Sequence, residues 1–236
     1  MACPKCHKDH DSIFPCALID LARANVSMTL ADVPLVFLDV ETTGFAPQRD
    51  RIVEISMLKI KGGAVVQTFD ELIDPERQIP SAATAVHGID MWKVMNQPPF
   101  AHYADALAEI LTDQCVVVGH NINFDLGFLN WEIARAGRPS WQWQGLSFDT
   151  LRLARRLYHF ENNKLGHLAT KLGVDVGESH RAGADVATTA GVFGVICDRI
   201  RPNETELTVK HVMQAQGGYF PSPVVGRPVS KTKGGR

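Results

Sequence analysis

The chain has almost no excess of one charge: 24 Lys and Arg against 26 Asp and Glu leave −2 at pH 7. A general polyanion binder is thereby excluded, and any contact with nucleic acid has to be local and helped by bound cations. Long hydrophobic runs are missing too, since no stretch approaches the ~20 apolar residues that cross a bilayer. Met1-Ala2-Cys3-Pro4 leads into charged residues without the apolar centre of a secretory signal. A cytoplasmic location is expected, where disulfides are rare, so the five cysteines need another explanation. There are no internal repeats and no low-complexity tracts. What remains is an ordinary globular composition, 45% apolar and 21% charged over 236 residues. That length favours one main domain with appendages.

Three of the cysteines fall near the N-terminus. Cys3, Cys6, His10 and Cys16 make a nitrogen and sulfur set at knuckle-like spacing, suited to one structural Zn²⁺. The segment resembles a CCHC zinc knuckle, with His10 one place early and His7 able to replace it. Cys3-Pro4-Lys5-Cys6-His7 also fits a haem-attachment pattern, which the lack of an export signal argues against. A tail with incidental thiols is the other reading, and both stand. From Ser12 to Met28 the apolar positions Ile13, Phe14, Leu18, Ile19, Leu21 and Val26 predict a short helix. Residues 1–30 thus form a Cys/His-rich extension.

The stretch Leu35-Val36-Phe37-Leu38-Asp39-Val40-Glu41-Thr42-Thr43-Gly44 reads as a buried central strand. Alternation puts Asp39 and Glu41 on one face, where two adjacent anions are costly unless a cation sits between them. Hard divalent ions prefer such oxygens, against the plainer reading of a strand end surfacing into solvent. Thr42, Thr43 and Gly44 then end the strand with small residues that leave backbone amides free for a ligand. Strands over 51–60 and 64–73, joined at Gly62-Gly63, complete an antiparallel meander. Ser81 can cap a short helix running to Val86, closed by His87-Gly88-Ile89. Helices follow at about 100–111, 125–136, 150–158, 164–172 and 181–200, with short strands at 116–120 and 146–149. The order implies a mixed α/β sheet with helices on its faces.

Three further residues join the strand carboxylates. Asp125 opens the helix after Val116-Val117-Val118, where its plain role is capping. His180 precedes the last helix, and Asp185 lies in its first turns with the helix dipole as its plain partner. Small residues on that helix (Ala184, Ala187, Ala190, Gly191, Gly194) predict close approach to the sheet. The full pattern is Asp39-x-Glu41, His120-Asn121-x-x-Phe124-Asp125 and His180-x-x-x-x-Asp185. It resembles the DEDDh branch of the DnaQ-like 3′→5′ exonucleases over residues 34–198. Phe148-Asp149-Thr150-Leu151-Arg152-Leu153-Ala154-Arg155-Arg156 and His87-Gly88-Ile89 look like the proofreading-subunit subgroup.

That resemblance implies a ribonuclease H-like fold over residues 31–200, a mixed five-stranded sheet whose first three strands are antiparallel. It also implies two Mg²⁺ or Mn²⁺ held by Asp39, Glu41, Asp125 and Asp185, with His180 as general base. Thr42, Thr43 and Gly44 would hold the terminal nucleotide, and His87, Ile89, Asn121 and Phe124 would border it, His87 being equally well a helix C-terminal histidine and Phe124 better read as a core residue. Trp131, Trp141 and Trp143 are either base-stacking surfaces or covers for an apolar edge. Residues 201–236 read as a basic flexible tail, a solvated end or a tether to a polymerase. Gln216-Gly217-Gly218-Tyr219-Phe220 loosely resembles a sliding-clamp peptide. The expected substrate is a nucleic-acid 3′ end, single-stranded or frayed, with DNA favoured and RNA trimming open. A non-catalytic binding module would be expected to have lost a carboxylate, and none is missing.

Overall fold

The computed structural model describes residues 26–111, 115–138, 143, 145–176, 181–202 and 205–218. Strands β1 (Leu35–Thr42), β2 (Ile52–Lys61) and β3 (Ala64–Leu72) form the expected antiparallel meander. Gly62 and Gly63 turn it with φ of 60° and 77°, values that favour glycine. Strands β4 (Val116–Gly119) and β5 (Ser147–Asp149) add in parallel on the other side of β1. The order is β3-β2-β1-β4-β5, a mixed five-stranded sheet in which β1 and β4 are covered on both faces.

Helices α1 (Ser81–His87), α2 (Met91–Val94), α3 (Phe100–Ile110), α4 (Ile122–Arg135), α5 (Thr150–Leu157), α6 (Leu165–Leu172), α7 (Ala182–Ile200) and α8 (Val209–Gln216) surround the sheet. Alternation along β1 decides which layer each side chain meets. Leu35 and Phe37 pack toward α7, with the Phe37 ring 5.8 Å from Phe193. Val36, Leu38 and Val40 pack with Leu107 of α3 and Phe128 of α4. Asp39 and Glu41 continue the first series and therefore leave the strand on the α7 side. A register slip of one residue would carry both to the wrong layer.

Several local expectations are corrected. Pro80, not Ser81, is the N-cap of α1, and no side chain caps it; Gly88 closes the helix at φ 70° as expected. The helix predicted to reach Met28 does not include Val26 to Met28, which form a turn. On α7, Ala187 and Gly194 are exposed rather than packed, and contact with the sheet runs through Val186 and Phe193. The close approach is made by Gly183, where a Cβ would lie 2.8 Å from the Asp70 carboxylate on β3. Trp143 is buried, its backbone held on both sides by the Asn130 amide, so it covers an edge of the core.

The stretch assigned to the tail contains α8. Thr208 and His211 form its capping box, Val209 and Val212 are buried, and Gly217 ends it at φ 89°. Gln216 is buried; its side chain accepts from the Asp149 amide (3.2 Å) and donates to the Ser147 carbonyl (3.1 Å). It thereby pairs the edge of β5 like a further strand, so the glutamine of the clamp-like pentapeptide is already engaged. Tyr219 to Arg236, the N-terminal Cys/His set and Trp141 lie outside the described residues.

Candidate active site

The end of β1 and the first turn of α7 bring three carboxylates together. Asp39, Glu41 and Asp185 each offer an oxygen, and these oxygens lie within 4.8 Å of one another. Asp185 reaches the strand because α7 begins beside it and crosses the same face as Phe37. Its place in a first helical turn is favourable by itself, but its surroundings are other acids.

Asp125 comes from the opposite layer. Helix α4 starts at Asn121, which sits at φ 71° with no side-chain cap, and Asp125 does not cap it either. The Asp125 carboxylate instead accepts the Val40 amide at 3.1 Å, fixing it to β1 between Asp39 and Glu41. It is almost fully buried. Burial holds the carboxyls of both Asp39 and Asp125 well above the usual range, and Asp125, Glu41 and Asp185 push Asp39 further. Glu41 is raised to about 7, first by burial, then by Asp185 and Glu54, with Arg181 opposing.

This donor set fits divalent cations. Ionising the cluster in a half-buried cleft is unfavourable unless positive charge enters, and the donors are all hard oxygens suited to Mg²⁺ or Mn²⁺. Asp39, Glu41 and Asp185 can share one ion, and Asp125 is close enough to repel Asp39 and Glu41.

Two contributors escape sequence reading. Glu54 stands opposite Glu41 across the β1–β2 ladder and is only 1% exposed. It takes Arg181 Nε at 3.0 Å and Nη2 at 2.8 Å, and also accepts the Ala182 amide at 2.9 Å. The signal in the sequence was an acid inside the apolar run Ile52-Val53-Glu54-Ile55. The second is Phe45, 88% exposed just after Gly44, its ring centroid 6.4 Å from Phe124. Phe124 is half-buried against Phe128, so it is both core and rim.

The remaining expected residues divide. Thr43 donates its amide to the Arg51 carbonyl (2.9 Å) and its hydroxyl accepts the Arg51 amide (3.0 Å), so that amide is not free for a ligand. Thr42 donates its hydroxyl to the Gly44 carbonyl at 2.6 Å. At Gly44 a Cβ would meet the Asp50 carboxylate, so the turn packs closely against that side chain. Ile89 is fully buried against Val53 and Val94 and forms no base wall; the exposed neighbour is Val86. His87 is buried, with Nδ1 accepting the Ile89 amide. Asn121 is exposed at the sheet edge and donates its amide to Asp149. His120 ties Thr150 to the Asn163 carbonyl. His180 lies outside the described residues.

The sequence model of an exonuclease family matches residues 36–193, which span β1 through most of α7. The chain belongs to that exonuclease family. The family is that of DEDDh-type 3′→5′ exonucleases, hydrolases that work with divalent metal ions. Within this exonuclease family, the 3′-5′ exonuclease DinG of Bacillus subtilis is 34% identical over 168 residues, 70% of this chain and 18% of that protein. The PolC-type DNA polymerase III of Thermotoga maritima is 35% identical over 165 residues, 70% of this chain and 12% of its own length. The chain therefore spans less than a fifth of these curated relatives. Among solved structures, Escherichia coli exonuclease I in complex with a dA16 oligonucleotide aligns with TM-score 0.62 and 20% identity over 71% of this chain and 41% of that one. Exonuclease X in complex with 5′ overhanging duplex DNA aligns with TM-score 0.57 and 24% identity, covering 78% of this chain and 99% of that one. These two likenesses concern the exonuclease fold. Among the described residues no helix is long and apolar enough to cross a membrane.

Proposed function

We propose that the protein is a two-metal-ion 3′→5′ exonuclease releasing nucleoside 5′-monophosphates from DNA 3′ ends. The observation that carries this reading is the convergence of Asp39, Glu41 and Asp185, with Asp125 fastened to the Val40 amide beside them. Bound divalent ions supply charge relief at phosphorus, a more acidic water and a stabilised leaving 3′-oxygen. Asp39, which Asp125, Glu41 and Asp185 all press upon, would be the carboxylate shared between two ions. Glu41 and Asp185 would hold the ion that makes a water more acidic, and Asp125 would support the other. His180 would take the proton from that water, since a histidine titrates near neutral pH. Phe45, backed by Phe124, stacks on the 3′-terminal base, and the turn at Thr42–Gly44 borders its sugar.

DNA as substrate is supported by the names of the similar proteins: a DNA polymerase, and exonucleases in complex with an oligonucleotide and with duplex DNA. A proofreading role beside a polymerase is the second reading, favoured by the PolC-type relatives. A structural Zn²⁺ at Cys3, Cys6, His10 and Cys16 belongs to the proposal as a separate element. The test is digestion of 3′-labelled DNA and RNA, single-stranded, duplex and mismatched, with Mg²⁺ or Mn²⁺. Release of 5′-mononucleotides from DNA, abolished by EDTA and by Asp39→Ala, is expected; undiminished activity under either condition sinks the mechanism. Faster digestion of RNA than of DNA overturns the substrate assignment, and metal analysis of the purified protein answers for zinc.

A further inference from the structure

Glu54 belongs to neither the three-carboxylate cluster nor the core, yet it is one of the most buried charged side chains in the molecule. It lies on β2, in register with Glu41 on β1. Residues directly opposite in an antiparallel pair leave the sheet on the same face, and like charges there repel. A buried acid beside a metal-binding acid is a liability for folding unless it does something else. What it does is visible in its partners. Its two oxygens take a forked grip on the Arg181 guanidinium and the first amide of α7, that of Ala182. Arg181 follows His180 directly, and Asp185 lies one turn further along α7, its amide bonded to the Arg181 carbonyl at 3.0 Å. At the same corner Gly183 lies close to the Asp70 side chain of β3.

We infer that Glu54 and Arg181 form a positioning clamp that sets the start of α7, and through it Asp185, against the Asp39–Glu41 strand end. The inference rests on the exonuclease reading of that cluster and concerns how its geometry is held. The guanidinium matters because its planar Nε and Nη2 both reach Oε1 of Glu54 while Oε2 takes the Ala182 amide, which fixes orientation as well as distance; an ammonium would fix distance only. Arg181 has a further role in the same place: its charge faces Glu41 as well as Glu54 and moderates the repulsion between them. The clamp thus joins the two chain segments, β2 and α7, whose relative position decides whether the oxygens of Glu41 and Asp185 stay within reach of one ion.

The test uses the full chain, with Glu54→Gln as the main variant. Glutamine keeps the shape and one acceptor for the Ala182 amide, and it leaves Arg181, 46% exposed, able to turn to solvent rather than stranded. Calorimetric titration with Mn²⁺ should show affinity weakened about ten-fold, and kcat for mononucleotide release at saturating Mn²⁺ should fall about 10- to 100-fold, the usual range for groups that orient ligands. KM for a DNA oligonucleotide should stay within about two-fold, because the substrate rim is untouched. Arg181→Lys should lose less than Arg181→Gln, and the double variant Glu54→Gln/Arg181→Gln no more than the worse single one. Unchanged Mn²⁺ affinity and kcat in Glu54→Gln, or losses that multiply in the double variant, would overturn the clamp. Should Glu54→Gln fail to fold, Arg181→Lys decides alone, an unaltered Mn²⁺ affinity counting against the inference. Calorimetry needs no turnover, so a wild-type protein that releases no nucleotide refutes the exonuclease reading while the Mn²⁺ comparison still judges the clamp.

Discussion

Two kinds of buried acid lie on this sheet or on the helix α4 packed against it, and they differ in what neutralises them. Glu54 and Glu132, each 1% exposed, are both answered by arginine: Glu54 by Arg181, and Glu132 by Arg51 at 2.7 Å and Arg135 at 3.2 Å. Burial dominates the electrostatics of Asp39 and Asp125 as well, but among the described residues neither ion-pairs with an arginine or lysine. The first kind ties segments together. Through Glu132, Arg135 is held where it donates to the Asp50 and Pro47 carbonyls, bracing the loop behind Gly44 and Phe45. Among the described residues the second kind meets no protein cation, which leaves a demand for positive charge that a metal ion would meet. The residue types are alike and the fates opposite: acids paired with arginine tie segments together, and acids gathered without one suit a metal ion.

The comparison breaks most sharply at Asp39. Asp39→Ala should lower kcat by about 10³-fold, equivalent to ~4 kcal/mol of transition-state stabilisation, while the protein gains thermal stability in EDTA because a repelling buried acid is gone. Thermal melting with and without Mn²⁺ alongside turnover checks both halves; a destabilised apoprotein would mean that Asp39 is a structural acid after all. Glu132→Ala should do the reverse. Breaking a buried pair from one side costs about 3 kcal/mol in urea unfolding, with Mn²⁺ affinity held within about two-fold. If Mn²⁺ binding falls as far as in Glu54→Gln, the two arginine-paired acids are not distinct in role.

The pH dependence gives a third, smaller effect. Glu41 titrates near 7 in the folded protein and near 4.5 in the unfolded chain, so between those values the folded form binds more protons than the unfolded. Stability of the metal-free protein is therefore fullest below about 4.5 from this group and falls as pH rises through 7, and the raised Asp39 and Asp125 act in the same direction. Saturating Mn²⁺ should flatten that slope; a melting temperature that climbs with pH in EDTA contradicts it. The smallest effect is expected at the rim. Phe45→Ala should raise KM for single-stranded DNA by an amount corresponding to ~1 kcal/mol, the lower end for a base stacked on an aromatic ring. Its melting temperature should not move, because the ring is 88% exposed.

Much of the molecule was readable from residue order. The apolar run before Asp39, the Gly62-Gly63 turn and the valine triplet of β4 carry strong local signals, and the meander and parallel additions appear where those signals predict them. Spacing of two along β1 put Asp39 and Glu41 on one face, since alternation is a property of the strand itself. Helix α8 was hidden because eight residues with two buried valines are too few for a periodic pattern to stand out. Ile89 looked like a base contact from its motif, and its burial under Val53 follows from where α1 and α2 dock, which no local pattern encodes. Local order therefore determined which residues are acidic, which strand they end and which way they point. Only the tertiary structure decided which acids meet arginine and which meet each other. That outcome depends on segments as distant as Glu54 and Arg181 arriving at one corner, and charge pairing acts through space with no periodicity to announce it.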